Sequence, residues 1–120
     1  MTLETKYTAS WLASQPQQTR TNFLNSLTND ELEYLRFDWD FWARDKQTLP
    51  DSFFVWLILA GRGFGKTRTG AETVRKWVRD NAIVNMIGAT ADDARDIMIE
   101  GESGILAVCP ASERPNYVSS

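Results

Sequence analysis

Residues 57–72 read LILAGRGFGKTRTGAE: an apolar run, glycines at alternate positions, a lysine and a threonine, and then a helical pattern. Backbone freedom concentrated beside a lysine, directly after apolar residues, points to a bound phosphate. An anion cradle needs backbone N–H groups turned inward, and glycine permits both the dihedrals and the close approach. The helix that opens behind the loop adds the positive end of its dipole. The lysine then reaches the β- and γ-phosphates, and the hydroxyl after it holds Mg²⁺. Here Gly61, Gly63 and Gly65 supply the freedom, Lys66 the charge and Thr67 the hydroxyl. The strict pattern G-x-x-x-x-G-K-[ST] is met except at its first position, where Ala60 replaces glycine.

The flanks fit such a loop. Before it, FFVWLIL (53–59) is a short, continuous apolar run rich in aromatic and branched residues, which predicts a buried strand of a parallel sheet. After it, Ala71, Val74 and Val78 recur at helical spacing with Trp77 beside them, while Arg68, Glu72, Arg75, Lys76 and Arg79 cover the other faces. Glu72 and Lys76 form a favourable i,i+4 pair, and Asn81 is the expected helix end. IVNMIG (83–88) predicts a second strand, ADDARDIMIE (91–100) a second helix and ILAVC (105–109) a further short strand. Strand, helix and strand over roughly 35 residues match a βαβ unit.

The first 50 residues contain no glycine and predict helices. Pro16 suits a first helical turn. Thr28 is a candidate N-cap with Glu31 three residues on, the spacing of a capping box. Leu32, Leu35, Trp39 and Trp42 follow at spacings of three and four, a stripe on one helix face that suits core packing. Asp38, Asp40 and Asp45 raise the question of a metal cluster, but their spacing does not converge, and a solvated face suits them better. DKQTLPDS (45–52), with Pro50, breaks the pattern and predicts a connection.

Bulk properties set the limits. The chain has 120 residues, 42% hydrophobic and 24% charged, ordinary for a globular domain. A net charge of −3 gives no global basic signal for nucleic acid, although a motor can carry its basic surface locally. Cys109 is the single cysteine, so no internal disulfide forms and a reducing compartment fits. The absence of histidine removes the commonest metal ligand and general base. No apolar run approaches the ~18 residues of a membrane span, and MTLETKYTAS lacks the regions of a signal peptide. A cytoplasmic protein is expected.

Three segments together, WDFWARDKQTLP, WLILAGRGFGKTRTGAETVR and IGATADDARDIMIEGESGILAVCP, resemble the front of a tailed-phage terminase large subunit, the ATP-driven motor that packages viral DNA. The likeness runs from about Leu35 to the end of the chain; the first 30 residues add little. It implies an α/β fold: a parallel sheet of the P-loop NTPase type, incomplete, preceded by a helical segment over 1–50, with 51–120 as the first part of the ATPase domain. It implies ATP and Mg²⁺ as ligands of Ala60, Gly61, Arg62, Gly63, Phe64, Gly65, Lys66, Thr67 and Arg68. Lys66 and Arg62 would act on the phosphates, Arg62 as a second cation near the γ-phosphate. Gln47 resembles the glutamine that reads adenine in such motors, a task its amide suits. Thr90, at the end of the second predicted strand, is a weaker candidate. Glu113 and Arg114 match a segment of the family without an assigned role.

The resemblance also implies double-stranded DNA, a small terminase subunit and a portal protein as partners, a homo-oligomeric ring, no membrane, and a bacterial host cell as the setting. Hydrolysis in these motors needs an apolar strand ending in Asp and Glu. No run here ends so, and the chain reads as an N-terminal fragment that stops before that strand and before the nuclease domain. Turnover by these 120 residues alone is therefore not expected. An open-sided sheet would leave unpaired edges and predicts marginal stability or self-association. Another P-loop motor, or a non-catalytic remnant that only binds nucleotide, are the alternatives.

Overall fold

The computed structural model describes residues 7–81 and 83–119, so the first six residues of the expected helical segment lie outside it. The chain divides into two units, Met1–Thr48 and Leu49–Ser120, and the division falls inside the 45–52 connection.

Among the described residues of the first unit, four short helices follow one another: α1 (Ala9–Ala13), α2 (Gln17–Asn25), α3 (Asn29–Arg36) and α4 (Trp39–Trp42), with a 3₁₀ turn at Asp45–Gln47. Their starts follow from local chemistry. Thr8 Oγ1 accepts from the Trp11 amide at 3.1 Å and caps α1. Pro16 stands at the N-cap of α2, one position before its first turn. At α3 the capping box forms in both directions: the Glu31 amide donates to Thr28 Oγ1 at 3.2 Å, and the Thr28 amide donates to Glu31 Oε2 at 2.8 Å.

The predicted stripe Leu32–Leu35–Trp39–Trp42 does not become one face. The helix stops at Arg36, and Asp38 starts the next one with extended dihedrals (φ −83°, ψ 95°), which resets the helical register. As a result Leu35 and Phe41 are buried, with Phe41 at 1% exposure, whereas Trp42 is 48% exposed. Trp42 keeps its polar end satisfied by donating Nε1–H to the Leu35 carbonyl at 2.8 Å.

The second unit is built around α5 (Lys66–Trp77). It ends at Trp77, four residues before the expected Asn81, whose amide and side-chain Nδ2 both donate to the Trp77 carbonyl at 2.9 Å. α6 (Ala91–Asp93) opens on Thr90, whose Oγ1 accepts from the Asp93 amide at 3.0 Å, and runs on as a π-helical stretch, Ala94–Ile99. α7 spans Ile105–Val108. Ala71, Ile105, Val108 and Cys109 form the buried core, with Val74, Met86, Ile99 and Leu106 packed against it.

The expected parallel sheet is absent: among the described residues there is no strand. The α/β expectation is corrected to a helical structure joined by irregular segments. A strand is defined by a hydrogen-bonded neighbour, and among the described residues neither 53–59 nor 83–88 makes a backbone–backbone hydrogen bond. Nor is the first run buried as expected: Phe54, Val55, Leu57 and Leu59 are exposed. From Val55 to Ala60 and again from Ile83 to Gly88, exposed residues alternate with half-buried ones, as side chains do on opposite sides of an extended chain. ILAVC was expected as a strand and is mostly helix, since Ile105, Val108 and Cys109 stand at i, i+3 and i+4 and meet the core on one side. A run this short carries too little periodicity to separate the two states.

The buried side of α5 also differs from the expected Ala71–Val74–Val78 stripe. Thr69, Ala71, Glu72 and Thr73 are buried, and Val78 is exposed. Glu72 does not pair with Lys76; it turns inward between two arginines.

Candidate phosphate-binding site

The loop between the first apolar run and α5 holds its shape through two glycines. Gly63 (φ 78°) and Gly65 (φ 87°) are in the left-handed region, and no non-glycine residue among those described is. A side chain at either position would be strained by the backbone alone. Gly65 is the N-cap of α5 and offers no side chain to its first amides. The first helical bond closes only at the Thr69 amide, which donates to the Gly65 carbonyl at 2.9 Å. Helix geometry thus leaves the amides ahead of Thr69 without intrahelical acceptors, as an anion site requires. A Cβ built on Gly61 or Gly63 would meet nothing within 4 Å, so space is open above the loop.

Lys66 folds back over this loop. Its Nζ donates to the Ala60 and Gly61 carbonyls, both at 2.8 Å. The ammonium is thereby placed against the first two residues of the motif, and Ala60 fills the first position through its carbonyl, which alanine supplies as well as glycine. Arg62 is exposed and, among the described residues, takes part in no ion pair.

The threonines of α5 separate by role. Thr69 Oγ1 donates to the Gly65 carbonyl at 2.9 Å and Thr73 Oγ1 to the Thr69 carbonyl at 2.8 Å, and both side chains are buried. Thr67 is exposed, and among the described residues its hydroxyl makes no hydrogen bond. Of the three, it is the one able to take a cation. Beside Lys66 and Thr67 opens a cavity of about 370 Å³, walled by Gly70, Ala71 and Val74 of α5 and by Asn85, Met86, Ile87 and Met98. Among the described residues, no group of three His, Cys, Asp or Glu side chains is placed to hold a metal ion, so any Mg²⁺ here would rely on Thr67 and the phosphates.

Arg68, expected among the nucleotide-binding residues, points its guanidinium along the helix: Nε and Nη2 lie 2.9 and 2.8 Å from Glu72 Oε1. Glu72 Oε2 faces Arg75 Nη1 at 3.4 Å. Arg75 Nε in turn donates to Glu113 Oε2 at 2.7 Å, and Arg79 Nη2 reaches Glu113 Oε1 at 3.2 Å. Burial pushes the Glu72 carboxyl above its ordinary value, against the pull of Arg68 and Arg75. Glu113 is held below its ordinary value, chiefly by the hydrogen bond from Arg75 and also by Arg79. Arg114 donates from Nε to the Leu106 carbonyl at 3.2 Å and from Nη2 to the Cys109 carbonyl at 3.5 Å, closing the end of α7. Glu113 and Arg114 therefore tie the 110–114 turn to α5 and α7.

Gln47 belongs to the first unit, and the loop to the second. It is buried, and its Oε1 accepts from the Arg44 amide at 3.1 Å and from Arg44 Nε at 3.2 Å. Its amide oxygen thus holds its own turn together. Thr90 caps α6 and stands at no strand end. Glu72 was passed over because its surface pairing with Lys76 satisfies helix spacing; the signal that finds it is the arginine at i−4 together with the arginine at i+3.

Comparison of the chain with protein-family models, curated proteins and solved structures returned no match.

Proposed function

We propose that residues 60–68 bind the phosphates of ATP with Mg²⁺, as the nucleotide-binding front end of a phage terminase large subunit. The observation that carries the binding reading is the set of left-handed glycines, Gly63 and Gly65, leading into a twelve-residue helix with Lys66 Nζ drawn over the loop at 2.8 Å from two loop carbonyls. Lys66 would exchange those carbonyls for phosphate oxygens. Arg62 would add a second positive charge from the exposed side of the loop. Thr67 would hold Mg²⁺, which neutralises charge between the phosphates when bound.

The motor reading rests on the quoted sequence segments and goes further than the loop itself. In it, ATP hydrolysis drives double-stranded DNA into a procapsid, with the small terminase subunit and the portal as partners and a ring of copies as the working assembly. What is proposed for this chain by itself is binding.

Calorimetric titration with Mg·ATP, with Lys66→Ala as control, tests it. Binding by the parent and its loss in the variant are expected. Equal binding by the two, or none by the parent, would sink the proposal.

A further inference from the structure

Glu72 is an acidic side chain inside the second unit, only 3% exposed, and no step of nucleotide binding uses it. We propose that Glu72 is a positioning residue of the phosphate site, which sets nucleotide affinity through Arg68 without touching the nucleotide. This deepens the nucleotide-binding reading above and rests on it.

Geometry supports it first. One carboxylate oxygen takes both Nε and Nη2 of Arg68, an arrangement that sets which edge of the guanidinium faces Glu72 as well as its distance. Arg68 directly follows Thr67 and lies in the first turn of α5. That turn has no side-chain cap, because its N-cap is Gly65. A capping side chain would compete with an anion for the same amides. Holding the turn from its flank, one helical turn further on, leaves those amides facing the loop. The Thr69 hydroxyl bond to the Gly65 carbonyl supports the same turn from its buried side.

Energetics supports it second. A buried carboxylate is a poor way to gain stability, since apolar residues of similar volume often do as well or better. What a charge adds is direction. Here the second oxygen faces Arg75, which is itself bound to Glu113, so the anchor behind Arg68 runs through to the 110–114 turn. Arg68, Arg75 and Arg79 with Glu72 and Glu113 form one connected set of ion pairs along α5. Arg68 is thus an anchored member of the first turn, and Glu72 its anchor.

The test is a double-variant cycle on Mg·ATP affinity by calorimetry, with the folded state of each variant checked by circular dichroism. Glu72→Gln keeps shape and removes charge; Arg68→Gln removes the partner. Each is expected to weaken affinity by roughly tenfold, the lower end for an outer partner of a binding group. The double variant should be no weaker than the weaker single, because the two act as one unit. A role confined to stability would leave affinity at the parent's value in Glu72→Gln, and independent roles would give a roughly hundredfold loss in the double variant by simple additivity; either result overturns the proposal. If Glu72→Gln does not fold, Arg68→Gln and Arg68→Lys decide, at a side chain that is one-third exposed. Lysine keeps the charge but not the two-nitrogen fork, so an affinity between those of the parent and Arg68→Gln is expected, and parental affinity in Arg68→Gln overturns the anchor. Failure of the parent itself to bind would remove the phosphate reading and this inference with it. Parental binding that is lost in Lys66→Ala but unchanged in Glu72→Gln would remove the inference alone.

Discussion

Two parts of the second unit invert the usual order of burial. Glu72, charged, is 3% exposed; Leu59, apolar, is 85% exposed. Glu72 sits on α5, where arginines at i−4 and i+3 meet both carboxylate oxygens. Leu59 ends a seven-residue run whose backbone, among the described residues, makes no backbone–backbone hydrogen bond. Phe53, at the start of that run, places its ring 6.4 Å from that of Trp77 on α5. The difference teaches that burial follows the supply of partners. Hydrophobicity states what a side chain gains from leaving water; a neighbouring segment decides whether it can. An ion pair carries its partner within one helix turn and needs no distant segment.

The comparison can be broken most forcefully at its polar end. Arg75→Ala leaves the buried Glu72 with Arg68 alone and should cost about 3 kcal/mol or more; a loss below about 1 kcal/mol in urea melts would show that the ionic interior is slack. Next comes the loop. Gly65→Ala forces a Cβ into a left-handed backbone at φ 87° and should cost about 1–2 kcal/mol, read as a lower melting temperature. In the first unit, Thr28→Ala removes one half of the capping box and should cost about 1 kcal/mol, a local effect to be read from amide exchange in α3.

Acid titration sharpens the same contrast with two opposite signs. Glu113 has a folded-state pKa below its ordinary 4.5, so its contribution to stability is present above that value and is lost as pH falls through the folded pKa. Glu72 has a folded-state pKa above 4.5, so protonation relieves it, and stability from this group rises as pH falls toward 4.5. As pH falls below 4.5, Glu113→Gln should therefore lose less stability than the parent. Glu72→Gln should keep the steep loss there and lack the gain above it. Identical acid limbs in all three proteins would contradict both assignments. The smallest effect belongs to the apolar end. Leu59→Lys should change stability by no more than about 0.5 kcal/mol, as at other exposed positions; a larger loss would show that something covers Leu59 in solution.

Local signals in the sequence proved readable, and pairing signals did not. The Thr28–Glu31 box and the helix after the glycines both depend on residues within four positions of one another, and each stands in the structure. The parallel sheet depended on the runs 53–59 and 83–88 finding a ladder neighbour, and an apolar pattern contains no information about which segment that would be. At the site, Gly63 and Gly65 take left-handed dihedrals and the helix opens at Lys66, features that rest on local chain chemistry. Glu72 escaped because helix spacing allows three partners, and only packing selects between Lys76 on the surface and the arginines inside. No residue near Gln47 signals that its amide would close its own 3₁₀ turn.

Lys66 carries a last consequence. Its ammonium already rests on two carbonyls of its own loop. A long side chain gives up about 1.5–2 kcal/mol of rotamer freedom when it is fixed, and here folding has removed that freedom before any guest arrives. Under the proposed reading, arrival of a phosphate would be a change of contacts for a cation already placed, with little left to be ordered. The loop carbonyls serve the ammonium as a stand-in hydration shell, one that a phosphate would replace in the proposed reading.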